Sequence, residues 1–456
     1  MALTDTKEIS TWRLLDAVQA RVRDWRAGEH SLTKRMAGTA FAIRVVSAAI
    51  MFVLQVLLAR WMGGYEFGNY VYVWTWLLLV GEVAHLGVPL TAQRYVPEYI
   101  QSKAFDLLRG YLSGSRWITF GFATVIAIAG AAVVRAMQAS LDTDVYLPLY
   151  LACVALPFYT FTFMVDGLAR SQNWINLALL PPYIVRPVLL LAIAATLHGA
   201  GVTLDATIVM GALAAAIWLT ALVQLSQLER GLKQVIPPGA KAYRVREWVG
   251  TSLPIVLVWG LYTLLTSTDV LVLKQFRPPQ EVAHYYAAAK TLALVSIIYF
   301  AVAAAAAHRF TAYHVAGNRE GLVQFAAATV RWIFWPSLAL TLLMLALGRP
   351  VLMLFGPGFE DAYPVLVILS AGQLARAAIG PAERLLNMLG QQRICALAYA
   401  SAFTVNIVGC FVLAPVYGGV GAAAATATAF IVESTFLFLI ARHRLKLHMF
   451  IWAPRG

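Results

Sequence analysis

Apolar runs the length of a bilayer follow one another along this chain, and nothing else in the sequence constrains its fold as strongly. A spanning helix needs ~20 consecutive, mostly apolar residues, and stretches such as AFAIRVVSAAIMFVLQVLLA (40–59) meet that need. We read about twelve spans, at 36–60, 68–90, 113–135, 144–166, 176–199, 205–228, 249–273, 284–307, 326–348, 361–381, 393–414 and 419–441. Of the 456 residues, 60% are hydrophobic and 12% charged, where a soluble chain carries about a quarter charged residues. Lipid is therefore the expected solvent. No connector is large enough to fold as a soluble catalytic domain.

The formal net charge of +13 would suit nucleic acid only if it formed a basic soluble face. Here the cations sit in short connectors, and they sort by side. One set of connectors, with both termini, carries Arg94, Lys103, Arg109, Arg116, Arg170, Arg230, Lys233, Lys241, Arg244, Arg246, Arg309, Arg319, Arg384, Arg393 and Arg442 among others. The opposite set holds only Arg60, Arg135, Lys274, Arg277 and Arg349. The positive-inside rule then puts both termini and the connector 229–248 in the cytoplasm, which requires an even number of spans. The first ~35 residues lack the apolar core and cleavage site of a signal peptide. Trp12, Leu15, Val18, Val22 and Trp25 recur there at helical spacing with Arg13, Arg21, Arg23 and Arg26 between them. This pattern fits an amphipathic helix on an anionic leaflet, or a loosely ordered basic tail.

Several chemical readings fall away. Cys153, Cys395 and Cys410 lie in apolar segments without metal or redox spacing, and the eight histidines form no ligand pattern. Asp142 and Asp144 have the D-x-D spacing of metal-dependent glycosyltransferases, but in a tiny connector on the translocated side. GGVGAAAATATA (418–429) reads as close helix packing through small residues.

A repeat divides the chain. EFGNYVYVWTWLLLV (66–80) aligns without a gap on EVAHYYAAAKTLALV (281–295), matching Glu66 with Glu281 and Tyr70 with Tyr285. Pro148 likewise faces Pro364. Six spans precede the basic connector and six follow it, which gives a basic cytosolic segment 1–35, a six-helix bundle 36–228, the connector 229–248, a second bundle 249–441 and a cytoplasmic tail 442–456. Two such halves usually rock about a central site.

Ionisable residues inside spans cost ~2.5 kcal/mol or more at mid-helix, so each is a candidate for function. Arg44 lies in the first span, Glu82 and His85 in the second, and Arg186 in the fifth, where Pro181, Pro182 and Pro187 would break the helix. Asp269 lies in the seventh, Lys290 in the eighth about a turn and a half inside its outer end, Arg376 in the tenth and Glu433 in the twelfth. Arg44 is expected to face a water-lined interior. Lys290 could snorkel to the surface. Asp166, Arg376 and Glu383 lie near cytoplasmic ends, where interface anchors are common, and Glu433 could pair within its own bundle. Arg44, Lys290, Arg186 and Arg376 suit a passing diphosphate. Asp269 and Glu82 suit a counter-charge or a coupling H⁺ or Na⁺.

The hairpin LLARWMGGYEFGNYVY, with LGVPLTAQRYVPEY (86–99), DGLARSQNW (166–174), STDVLVLKQF (267–276) and LLNMLGQQR (385–393), resembles the bacterial polysaccharide transporters. These Wzx-type flippases belong to the multidrug/oligosaccharidyl-lipid/polysaccharide (MOP) exporter superfamily. The second hairpin departs from the pattern, with QFRPPQEVAHYY where the first has WMGGYEFGNY. The resemblance implies an all-α polytopic membrane protein, about 12 transmembrane helices in two homologous six-helix bundles around a central cavity. It also implies a location in the bacterial inner membrane and a non-enzymatic flippase that moves polyprenyl-diphosphate-linked oligosaccharide to the periplasmic leaflet. Expected partners are that lipid-linked oligosaccharide, membrane lipids, and a polysaccharide polymerase with its export machinery. No cofactor and no nucleic acid are expected. A cation-coupled multidrug antiporter would prefer an acidic cavity, and a polysaccharide polymerase or ligase would need a large periplasmic loop. Both remain the competing readings, with a purely structural membrane subunit behind them.

Overall fold

The computed structural model describes residues 6–139 and 142–452, with side chains from 38 onward apart from a few interior positions. The expected surface contacts of Trp12 to Arg26 therefore lie outside the described side chains, although the backbone is helical from Thr6. No β-strand occurs among the described residues.

Among the described residues, nine helical stretches are long and apolar enough to cross a membrane, and two of them are far too long to cross it once. Gly38–Gln101 is interrupted at Gly63 and Arg393–Arg444 at Gly418, both glycines at positive φ with non-helical backbone. In a straight helix Asn406 and Thr426 would stand ~30 Å apart. Instead the Asn406 Nδ2 donates to Thr426 Oγ1 at 2.9 Å, so the chain reverses at Gly418. Around Gly63 the same test holds. Arg44 lies over Tyr183, while Arg186, three residues on from Tyr183, lies over Trp74. A bent pair, Phe359–Ala378 with Ala382–Met388, supplies the remaining crossing. Twelve crossings result, in step with the twelve apolar runs.

Several spans are interrupted where the sequence placed charge. The second span breaks after Ala84 and resumes as Val88–Gln101. The fifth passes through a π-helical turn at Pro181–Val185, directly before Arg186. Proline cannot donate to the i−4 carbonyl, so such a widened turn is expected there. The seventh is split into Val245–Leu265 and Thr268–Phe276, and the eighth into Pro279–Ala293 and Ser296–Val315.

Packing differs at the two ends of the bundle. At the end with few cations, one core takes residues from both halves, joining Phe67, Tyr70 and Trp74 to Tyr285, Tyr286 and Phe359. At the basic end the core divides. One cluster holds Tyr95, Tyr111, Met164 and Trp248, and another holds Phe310, Phe325, Val330 and Leu385. The halves share one core at the far end, whereas at the basic end the contact between them runs through the seventh helix, where Trp248 Nε1 donates to the Tyr99 hydroxyl at 3.0 Å and the Tyr95 hydroxyl meets Thr251 Oγ1 at 2.8 Å. Large apolar side chains such as Val125, Ile128, Leu257, Leu397 and Val412 point outward, at 60–67% exposure, as lipid-facing residues do.

The connector between the halves is shorter and better anchored than its polarity suggests. The sixth span runs on to Val235, and the chain is non-helical only up to Arg244. Arg109 donates to the carbonyls of Ala240 (2.8 Å) and Pro237 (3.2 Å), and Ala242 N bonds Asp106 O. The C-terminal tail repeats the device on the second half. There Arg319 donates to Leu445 O at 3.1 Å, and Leu447 and Met449 are buried. In each half, an arginine near the start of the third helix of that half pins the segment that leaves its sixth.

Candidate functional site

The second and eighth spans meet face to face at the far end. A Cβ on Gly68 would overlap the Pro279 carbonyl, so the backbones touch and only glycine fits at 68. Phe67 packs edge-on to Tyr286 at 6.2 Å. Trp74, about two turns deeper, packs on Tyr159 at 5.9 Å. Tyr70, Trp74, Tyr159 and Tyr286 are all buried and together form an aromatic plug between the halves.

A cation flanks this plug from each half. The Arg186 guanidinium lies 5.3 Å from the Tyr159 ring centroid and 6.0 Å from that of Trp74. The Lys290 ammonium lies 4.8 Å from the Tyr286 centroid. The helix bearing Lys290 begins at Pro279. That makes Lys290 eleven residues deep, ~16 Å along the axis and about half-way through a ~30 Å core. The sequence reading placed it only a turn and a half from the outer end, because it began the span at 284. Lys290 is exposed while Tyr286, Ala287 and Thr291 around it are buried. It therefore faces open space rather than packing, at a depth from which snorkelling does not reach water.

Arg44 lies nearer the basic end, its guanidinium 4.0 Å from the Tyr183 centroid, and is exposed. Its acidic neighbour, Asp166, is already engaged by Arg170 at 2.8 Å. Among the described residues, Arg44, Arg186 and Lys290 have no carboxylate within 4.0 Å.

Arg376 stands apart. Its Nη2 is 3.3 Å from Glu433 Oε1, and Glu433 is 3% exposed. The pair sits in a separate cavity of the second half with Tyr262, Tyr299, Gln373 and Glu383. Glu82 is also spoken for: its Oε2 is 3.3 Å from His85 Nε2, and His85 Nδ1 accepts from Gly87 N. Those bonds stabilise the break in the second span. Asp269, 5% exposed, accepts from the Tyr285 hydroxyl at 2.5 Å, from Thr426 Oγ1 at 3.1 Å and from Val270 N at 2.8 Å. Thr426 accepts in turn from Asn406. Asp269 lies within electrostatic range of Lys290 without forming an ion pair.

The repeated glutamates now acquire a role. Glu66 accepts from Ala206 N at 2.9 Å, the first residue of the sixth span. Glu281 accepts from Gly419 N at 2.6 Å, where the twelfth span starts. Each carboxylate caps a helix N-terminus within its own half, satisfying donors that lipid cannot. The D-x-D acids also have partners. Asp142 pairs with Lys274 of the other half at 2.8 Å, and Asp144 accepts from Tyr65. A second cross-half tie joins Arg60 Nε to Leu354 O at 2.6 Å.

The Lys274–Asp142 pair is largely exposed on the Asp side, so it is worth only ~0–1 kcal/mol. We expect Asp142→Lys to slow transport modestly and the exchange Asp142→Lys with Lys274→Asp to restore it. Failure of the exchange to restore transport, while the single change impairs it, would deny the pair a gating role.

What the plug and its flanking cations could not have shown from sequence is the aromatic set, since Trp74, Tyr159 and Tyr286 read there as ordinary apolar residues. Only the Tyr70–Tyr285 match hinted that the hairpin tyrosines mattered.

Solved structures share this architecture. An inward-facing multidrug resistance transporter of the MATE family superposes with a TM-score of 0.70 at 14% identity, covering 90% of this chain and 94% of its own. The lipid II flippase MurJ, in an inward closed conformation, gives 0.67 at 13%, covering 88% and 87%. A MOP superfamily transporter from Pyrococcus furiosus, described as having a binding pocket of reversed polarity that suggests a different function, gives 0.65 at 15%, covering 90% and 96%. The chain shares the all-helical, multi-pass membrane fold of these MOP superfamily structures. The family model for polysaccharide biosynthesis proteins matches residues 36–308, and the chain belongs to that family. The MatE model matches 254–412. No curated protein matches the sequence.

Proposed function

We propose that this protein flips a polyprenyl-diphosphate-linked oligosaccharide across the bacterial inner membrane, with the basic end and both termini in the cytoplasm. The observation that carries this reading is the set of deep cations without carboxylate partners, Arg44, Arg186 and Lys290. Unpaired charge at that depth is costly and is best explained by an anion that arrives from outside the protein. The diphosphate provides that charge, and a guanidinium and an ammonium bind its oxygens in complementary ways. Family membership supports the glycan. The match to the lipid II flippase shows the fold alone.

The core shared by both halves at the far end supports a reading in which that end is closed and the head group enters from the cytoplasm. The head group would first meet Arg44 and then rise to the plug, where Arg186 from one half and Lys290 from the other converge on it. Binding both would draw charge from the two halves toward one ligand and favour rocking. Parting of Gly68 from Pro279 would then open the far side. Arg376 is the weaker candidate, because Glu433 already neutralises it. Asp269, with Tyr285, Thr426 and Asn406, is the better candidate for a coupling H⁺ or Na⁺ than Glu82, which the break at His85 occupies. The domain limits 1–35, 36–228, 229–248, 249–441 and 442–456 are retained as part of this reading, as are a polymerase and export machinery as partners.

The multidrug reading has the MATE likeness in its favour, but it would prefer an acidic cavity, and among the deep charges without an ion pair Arg44, Arg186 and Lys290 outnumber Asp269. The test is deletion followed by complementation with wild type or Arg44→Ala, tracking lipid-linked oligosaccharide by leaflet. Deletion is expected to strand the intermediate on the cytoplasmic side, and Arg44→Ala to transport several-fold more slowly at equal expression. Unchanged periplasmic access after deletion would end the flippase reading.

A further inference from the structure

Away from the central site, a cavity of about 280 Å³ opens between the third, fourth and sixth spans. That approaches the lower end of small-ligand sites, ~300 Å³. Its walls are apolar and aromatic, with Phe120, Phe158, Phe161, Leu222 and Leu225 prominent. Phe120 packs edge-on to both Phe158 and Phe161, which fixes the shape of the groove. Trp117 and Leu222 at its mouth are 72% and 54% exposed, so the groove opens toward lipid.

Its rim carries charge of both signs. Arg116 Nη1 lies 3.1 Å from Glu229 Oε1, with side chains 21% and 48% exposed. Arg116 Nε is held by Leu112 O at 2.7 Å, which orients the guanidinium. Among the described residues no bond is made by Arg116 Nη2 or Glu229 Oε2. The pair marks the basic end of its spans: Arg116 falls at the start of the apolar run 113–135 and Glu229 just beyond 205–228. That is the depth of the phospholipid head groups.

We propose that this groove binds one acyl chain of an amine-headed zwitterionic phospholipid, with Arg116 on its phosphate and Glu229 on its ammonium. An apolar slot under an Arg–Glu rim is complementary to that molecule part by part. Phosphatidylcholine would lose the bond to Glu229, because a quaternary ammonium has no N–H. Phosphatidylglycerol would leave Glu229 facing an anion. Arg230 and Lys233 follow Glu229 on the same helix and would favour the anionic lipid, so the choice between the two decides the proposal.

The full chain, purified in detergent, is titrated with phosphatidylethanolamine, phosphatidylcholine or phosphatidylglycerol and followed by native mass spectrometry. Phosphatidylethanolamine is expected to be retained about 5- to 10-fold better than either rival, the effect of one charge-assisted hydrogen bond at a partly exposed site. Glu229→Gln should bring phosphatidylethanolamine and phosphatidylcholine within about twofold of each other. Leu222→Trp, on an exposed position that folding does not depend on, should fill the slot and lower retention of all three. Equal retention of the three lipids by the wild type, a preference for phosphatidylglycerol, or full retention in Leu222→Trp would each overturn the proposal.

Discussion

Replacing Lys290 with alanine is expected to slow transport at least about tenfold at equal expression, with Lys290→Arg retaining most of it. Lys290 is the one cation of the three on the second half, and it faces open space half-way through the bilayer. A hydrogen bond to a charged group is worth ~1.5–3 kcal/mol, and 1.4 kcal/mol is tenfold. If Arg186 grips the same diphosphate from the first half, the two losses should couple. Arg186→Ala combined with Lys290→Ala would then cost less than the sum of the single changes, as expected for residues that share a ligand. Measured rates of oligosaccharide delivery to the periplasmic leaflet decide the matter. Normal delivery by Lys290→Ala removes it from the substrate path, and strict additivity would mean that the two cations act at different places.

The second large effect concerns closure. Gly68→Ala places a methyl group where the Pro279 carbonyl stands, against backbone that cannot rotate away. The variant should fold, since the clash lies between halves, but its far end should fail to shut. A cysteine introduced at Gly64, which lies beside Gln280, provides the readout in a chain cleared of Cys153, Cys395 and Cys410. Its reaction with an impermeant maleimide should speed up ~5- to 150-fold, the range of a 1–3 kcal/mol shift between states, and transport should fall. Unchanged labelling together with unchanged transport would show that the second and eighth spans do not form the closing seam.

How much of this was legible in advance varies with the residue. The match of Glu66 with Glu281 was the informative part of the repeat, and both prove to cap the sixth helix of their own half. Sequence could mark the two as equivalent. It could not name Ala206 and Gly419 as partners, because those amides lie 140 and 138 positions away. The depth of Lys290 was misjudged for a local reason. Its helix starts at Pro279 with polar residues, Gln280 and Glu281, which a hydropathy window discards. Arg376, near a cytoplasmic end, and Arg186, at a proline break, both suited a diphosphate in sequence. Only the fold puts Glu433 against one of them and aromatic rings against the other.

The sequence alone determined the solvent, the number of crossings and the division into two halves, and it sorted the loops into a basic and a cation-poor set. Each of these follows from composition and periodicity along the chain, since a helix in lipid satisfies its own backbone and needs no distant partner to be recognised. Tertiary structure decided which intramembrane charges are neutralised and which stand free, where the halves touch, and what flanks the point of contact. Those properties depend on pairs of residues remote in sequence, and a charge becomes a site only when the fold withholds its counter-charge.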